Sequence, residues 1–266
     1  MVARIRPPVT EEDWIALVGH RRRHIARFLS WAAEREAEDS MRLSNRSDIL
    51  RARRITGAFT EPWWAAVVYS CFDSEVGTLA VAESFNDPVS AEEAARLLSD
   101  IELPPGAVQH HRTQPGHRGA KFALISACAW AQDFERILRE GKGFHDRYEA
   151  LRRLPAKQWG RTTCYDLLVR TGQLKMESAT RYQPDRAYLA DSTGPRKGFH
   201  LIWGIEVTRS NGDECESILR GWGERWQRIA DQVGVTWTGE PYGPGDFENA
   251  LCIFQERGGP GYGSTC

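Results

Sequence analysis

An acid, an amide and a thiol come together near the end of the chain. They lie in Asp246-Phe247-Glu248-Asn249-Ala250-Leu251-Cys252-Ile253-Phe254-Gln255-Glu256-Arg257, ahead of Gly258-Gly259-Pro260-Gly261. On a helix, Glu248 and Cys252 are four apart and share a face, with Asn249 and Leu251 flanking it. Such a face can exchange a proton through the carboxylate and orient a polar group through the amide. The same pattern also reads as a last amphipathic helix. Phe247, Leu251 and Phe254 would then be core, Glu248 solvated, and Cys252 a small hydrophobe.

Anion chemistry has its best candidate in Ser192-Thr193-Gly194-Pro195-Arg196-Lys197-Gly198. Gly194 and Gly198 allow a tight turn whose backbone N–H groups can face a phosphate, and Arg196 and Lys197 add charge. A helix-hairpin-helix-like element of this kind grips a DNA backbone; a bare surface turn is the alternative. Two further basic clusters, Arg21-Arg22-Arg23-His24 and Arg51-Ala52-Arg53-Arg54, read as phosphate-facing strips or as solvated faces. Asp166 has two readings as well, a helix-capping carboxylate behind Thr162 or Thr163 and a catalytic acid. His110, His111 and His117 sit in loop-like sequence with no carboxylate or cysteine at metal spacing, so no metal is expected.

The elements that would position these groups are mostly helices. Glu11 to Arg27 places Trp14, Leu17, Val18, Ile25 and Phe28 on an inner side. Ser90-Ala91-Glu92-Glu93 is a capping box. Lys121 to Arg139 predicts one helix, with Phe122, Ile125, Ala129, Phe134, Ile137 and Leu138 inward and Gly141 as its C′ glycine. Asn211-Gly212-Asp213 opens another, capped by Asp213 with Glu216 three residues on. Its stripe is Ile218, Trp222, Trp226, Ile229 and Val233, and Gly234 closes it. That spacing is what packing demands, so Trp222 and Trp226 read as core rather than as a base-stacking platform. The expected architecture is mainly α, as one domain over residues 1–266 with a subdivision near 104–120 and a flexible glycine-rich tail at 258–266.

The totals bound the function. At 266 residues the chain can bury a sizeable core. Its net charge is −1, but from His145 to His200 there are 11 Lys and Arg against 6 Asp and Glu. From Leu201 to Cys266 the balance reverses, 5 against 10. Locally basic segments in a near-neutral protein suit a polyanion bound along one face, and a solvated mixed-charge surface gives the same counts. The six cysteines are scattered without a C-x-x-C, which argues for reduced thiols in a cytoplasm-like compartment. No apolar run approaches the ~20 residues of a membrane helix. There is no Walker loop, no G-x-S-x-G and no H-E-x-x-H.

Several pieces together resemble the phage and fungal DNA base hypermodification family. It includes the α-glutamyl/putrescinyl-thymine pyrophosphorylases and the helical domain attached to 5-hydroxymethyluracil DNA kinases. Members carry an acid or amide, then Leu-Cys-Glu-Phe-Asp-Lys-Tyr, an arginine and a Gly-x-Gly-Arg-Pro tail. Glu248, Asn249, Leu251, Cys252 and Phe254 fit that register, with Arg257 and Gly259-Pro260-Gly261 after it. Weaker similarities occur at Ser47-Asp48-Ile49-Leu50 with Arg54-Ile55-Thr56, at Trp159-Gly160-Arg161 to Asp166-Leu167-Leu168, and at Gly194-Pro195-Arg196-Lys197-Gly198. The chain departs from the pattern at Ile253, Gln255 and Glu256, and Gly57 replaces an asparagine.

The resemblance implies a multi-helical, helix-hairpin-helix DNA glycosylase-like fold and a transferase acting on a flipped base. A hydroxymethyl pyrimidine in duplex DNA, activated by a nucleotide kinase of the same pathway, would lose its (pyro)phosphate to an amine such as an amino acid or polyamine. The implied roles are Glu248 as general base and Asn249 in orienting the base or the amine, with Cys252 and Asp166 as further site residues. Arg161, Arg196 and Lys197, with Gly194, Gly198, Arg53 and Arg54, would contact phosphates. No cofactor is implied. A DNA glycosylase-like enzyme and a non-catalytic DNA-binding module are the competing readings, and the setting would be the cytoplasm of a bacterial or phage-infected cell.

Overall fold

The computed structural model describes residues 7–36, 46–108, 116–173 and 183–257. Among them there are thirteen α-helices and no strand, the mainly α class expected from the periodicity. The first seven are α1 (Glu11–Glu36), α2 (Arg46–Gly57), α3 (Pro62–Phe72), α4 (Glu75–Ala82), α5 (Ala91–Asp100), α6 (Gly116–Ala129) and α7 (Ala131–Glu140). They are followed by α8 (Phe144–Arg153), α9 (Arg161–Gln173), α10 (Thr193–Trp203), α11 (Gly212–Glu224), α12 (Trp226–Val233) and α13 (Pro244–Arg257). By contacts the chain forms two compact units, Met1–Asn45 with Pro184–Cys266, and Arg46–Gln183. The 258–266 tail and His110 and His111 lie outside the described residues. None of the described helices is long and apolar enough to cross a membrane.

In the unit built from both chain ends, α1 continues well past Arg27. Trp14, Val18, Ile25, Phe28, Leu29 and Ala32 face its core. The single helix expected from Asp213 to Val233 is two, α11 and α12, broken at Arg225 (φ −111°, ψ 14°). At the break Arg225 lies over the Trp14 ring, 5.3 Å from its centroid, and bonds Glu11. The inward stripe survives the break. Trp222 and Trp226 stack with centroids 5.5 Å apart, and Trp226 meets Trp237, Tyr242 and Phe247 at 4.9, 4.8 and 5.5 Å. Both tryptophans are buried, so they are core. Gly234 ends α12 in the left-handed conformation (φ 82°) that glycine adopts without a Cβ penalty.

The segment Gly194 to Gly198 is not the tight turn that its glycines suggested. It forms the opening of α10, because both glycines are needed where α10 crosses α13. A Cβ on Gly194 would lie 2.5 Å from Cys252 Sγ. One on Gly198 would run into the carbonyl oxygen of Leu251, with the Leu251 Cα 3.0 Å away. The other end of α10 is capped from α1. Arg21 Nε and Nη2 donate to the carbonyls of Ile202 (2.8 Å) and Leu201 (3.1 Å) beside left-handed Gly204. Arg21 is thereby withdrawn from the basic strip in which it was read.

The Arg46–Gln183 unit is organised around α3. Pro62 opens it at a position where no amide is needed, and every residue from Trp63 to Phe72 is buried, as a helix apolar all round must be. It ends at Asp73 in the left-handed conformation (φ 54°). Asp73 pairs with Arg170 of α9, which also donates to Tyr69 O (2.8 Å) and lies 4.0 Å from the Tyr69 ring centroid. Ser90 accepts from Glu93 N at the start of α5, half of the capping box expected there.

The predicted Lys121–Arg139 helix divides at Trp130 into α6 and α7. Trp159 then reaches in, its indole N–H donating to Ala123 O (3.0 Å) and its ring 4.5 Å from Phe134. Phe122, expected inside, is 48% exposed. Gly141 caps α7 at φ −60°, not in the left-handed form. It is glycine because a Cβ would meet the buried Arg147 side chain, whose Nε bonds Leu138 O (3.1 Å).

Gly198→Ala should therefore destabilise by about 1–3 kcal/mol, since the obstacle is backbone that cannot rotate away. Gly194→Ala should be largely rescued by Cys252→Ala, whereas Gly198→Ala should not; denaturant titration of the three single variants and the two double mutants checks this. In the other unit, Asp73→Ala strands a buried guanidinium and should lose about 3–5 kcal/mol in the same measurement.

Candidate functional site

A surface cleft of about 380 Å³ opens on α10 and α13. Arg196, Lys197, His200 and Leu201 line it from α10, Glu206 and Val207 from the segment beyond Gly204, and Gln255 from α13. Lys197 lies on the helix face opposite the buried Pro195, Phe199 and Ile202, and half-buried Arg196 at the edge of that face, and both reach the cleft. Sequence reasoning found these two cations but missed His200, Glu206 and Gln255. His200 was legible in principle, being four residues after Arg196 on what proves to be a helix. Glu206 comes to the cleft only because the chain reverses at Gly204.

On α13, Glu248, Asn249 and Cys252 are each half-buried. Cys252 turns toward Gly194 of α10. Glu248 lies one turn earlier on that face. The α10–α13 crossing thus brings the acid, amide and thiol onto the helix pair that carries Arg196 and Lys197. Phe247, Ala250, Leu251 and Phe254 are core, as their spacing required. Burial pushes the Cys128 thiol to about 11 and those of Cys164 and Cys215 to about 12, whereas Cys252 retains some exposure.

The approach to α10 is fixed by Glu216. Read from sequence as part of a helix cap, it instead reaches across to the 3-10 turn Leu189–Asp191 and the residues before it. Its Oε2 accepts from Ala187 N (2.8 Å) and its Oε1 from Leu189 N (2.7 Å). Burial raises its pKa above the usual carboxylate range, and the two amide donors pull the other way. Asn211, not Asp213, is the N-cap of α11.

The remaining candidates belong to the Arg46–Gln183 unit. Arg161 is the first residue of α9, with its guanidinium 5.8 Å from the Tyr165 ring centroid. Asp166 falls in the second turn of α9, not the first, because the helix begins at Arg161. Thr163 is buried within the helix rather than capping it. On α2, Arg54 forms a two-pronged pair with Glu75 at 2.5 and 2.9 Å, and this holds the Glu75 carboxyl below its ordinary range. Arg53 is exposed. Among the described residues no group of three His, Cys, Asp or Glu is placed to hold a metal ion. The side chain of His117 is outside the described set.

A family model for amino acid:DNA transferases matches residues 118–261, just over half of the chain. The match takes in α9, α10 and α13, and it agrees with the resemblance read from the C-terminal motif. No curated protein and no solved structure matches the chain. The chain belongs to the amino acid:DNA transferase family, and is a transferase acting on DNA.

Proposed function

We propose that the enzyme attaches an amino acid to an activated hydroxymethyl pyrimidine in duplex DNA, with the base flipped out of the stack. The observation that carries this reading is the α10–α13 crossing, where a cleft bearing Arg196 and Lys197 adjoins the helix bearing Glu248, Asn249 and Cys252. The amino-acid nitrogen attacks the exocyclic methylene carbon. A C–N bond forms as the C–O bond to the (pyro)phosphate breaks, and the electron pair leaves with that group. Glu248 takes the proton released by the nitrogen, and Asn249 orients the base or the amine. Arg196 and Lys197 hold the departing anion where its charge develops.

On the Arg46–Gln183 unit, taken by itself, Arg161 and Arg53 are proposed phosphate contacts. Gly194 serves at the first turn of α10, whereas Gly198 acts by letting α13 approach. Cys252 lines the site, and Asp166 is proposed as an acid of the Arg46–Gln183 unit. The helix-hairpin-helix, glycosylase-like assignment of the fold is part of the same proposal and rests on the family resemblance, since Gly194 to Gly198 is helix and not a hairpin. A kinase acting earlier on the same base supplies the activated group.

Glu248→Gln should lower turnover by about 10²–10⁴-fold while duplex binding persists; unchanged turnover removes Glu248 from the chemistry. Arg196→Ala and Lys197→Ala, which remove charge from the departing anion, should each lower turnover by about 10²–10³-fold, read in the same assay. Nucleoside mass spectrometry of DNA made with and without the gene reads the outcome directly. Loss of a pyrimidine carrying an amino acid through its nitrogen, with build-up of the activated precursor, is expected.

A further inference from the structure

We propose that a second cavity in the same unit, at the start of α13, binds the free amino acid co-substrate as a zwitterion. This rests on the transferase reading above and names where that reaction's amine donor is recognised. The cavity measures about 190 Å³, and its polar and aromatic walls are Asp185, Glu216, Arg220, Glu224, Tyr242 and Phe247. That volume corresponds to about six water molecules at ~30 Å³ each, the scale of a small amino acid and not of a nucleotide.

The charges select the ligand class. Asp185, Glu216 and Glu224 line the cavity with Arg220, Glu224 also pairing with Arg225 (3.4 Å), so a zwitterion finds partners for both ends: Arg220 for its carboxylate, and the acids for its ammonium. A diamine would leave Arg220 opposed by a like charge, and a phosphate would face three carboxylates. Glu216 forms the floor at 8% exposure. Each of its oxygens accepts one backbone N–H, which leaves lone pairs for a further donor. An ammonium there offsets the burial cost that now raises its pKa. Asp185, Arg220 and Glu224 are exposed at the rim.

The walls agree with that ligand. Tyr242 and Phe247 are buried, with ring centroids 6.0 Å apart, and aromatic faces attract an ammonium. Gly223 keeps one side open, since a Cβ there would lie 3.1 Å from Tyr242 O and 3.8 Å from the Phe247 ring. Phe247 immediately precedes Glu248, so the cavity abuts the turn of α13 that carries the general base of the proposed reaction.

Calorimetric titration of the full chain, without DNA, with free glycine, serine and glutamate, and with putrescine as the diamine, tests the assignment. At least one amino acid should bind saturably and putrescine more weakly. Arg220→Ala should weaken the amino acid tenfold or more and Glu224→Gln several-fold, with unchanged melting, since both side chains are exposed. Absence of amino acid binding to wild type, with or without duplex DNA, overturns the assignment, as does an unchanged affinity in Arg220→Ala. The transfer assay separates the two readings. If Arg220→Ala attaches the amino acid with wild-type KM, the cavity assignment falls and the transferase reading stands. If amino acid binding depends on Arg220 but no DNA accepts the amino acid, the cavity assignment stands and the transferase reading falls.

Discussion

The close crossing of α10 and α13 is the constraint on which the candidate site depends. Two helices approach so near that one glycine lies against a backbone carbonyl and another against a thiol. At that distance there is no room for side chains between the axes, so residues just off the contact line are pushed to its edges. Arg196, Lys197 and His200 emerge on one side, and Gln255 joins them from the other helix. The same proximity fixes where Cys252, and one turn away Glu248, must lie. A looser crossing would part Gln255 from the cations of α10.

Holding that crossing takes structure on every side of it. Arg21 satisfies the last carbonyls of α10 from a helix far away in sequence, and Glu216 ties down the chain just before α10 begins. Beneath α13, Phe247 and Phe254 plug into an aromatic cluster running through Phe28, Trp222 and Trp226. Rings in offset or edge-on contact resist sliding more than aliphatic chains do, because their preferred geometries are few. The core therefore sets the register of α13 as well as its burial. Among the described residues charge is used sparingly inside: Asp73 and Arg147 in one unit and Glu216 in the other are buried, Asp73 paired with Arg170, Arg147 with the Leu138 carbonyl and Glu216 with two backbone amides.

Helix content, the inward stripe Ile218-Trp222-Trp226-Ile229-Val233, the Ser90 cap and the glycine stop at Gly234 could all be read from the sequence. They depend on periodicity and local backbone preference, which are properties of neighbouring residues. The breaks at Trp130 and Arg225 could not. Both occur inside convincing helical patterns and lie beside contacts from distant elements: Trp159 against Ala123 and Phe134, and Trp14 and Glu11 against Arg225 itself.

By itself the sequence determined the residue types available for chemistry, the amphipathic register of α13 and the family to which the chain belongs. It also determined that Trp222 and Trp226 are core. Only the tertiary structure decided what the glycines of Gly194-Pro195-Arg196-Lys197-Gly198 are for. Local preference allowed a turn, but close contact with Leu251 and Cys252 made the segment a helix and gave its cations a cleft. Tertiary contacts likewise assigned Arg21 to a helix end, Arg54 to Glu75 and Glu216 to the backbone at Ala187 and Leu189. The physical reason is the same in each case: a charged or missing side chain has several uses of similar local energy, and a partner distant in sequence selects among them.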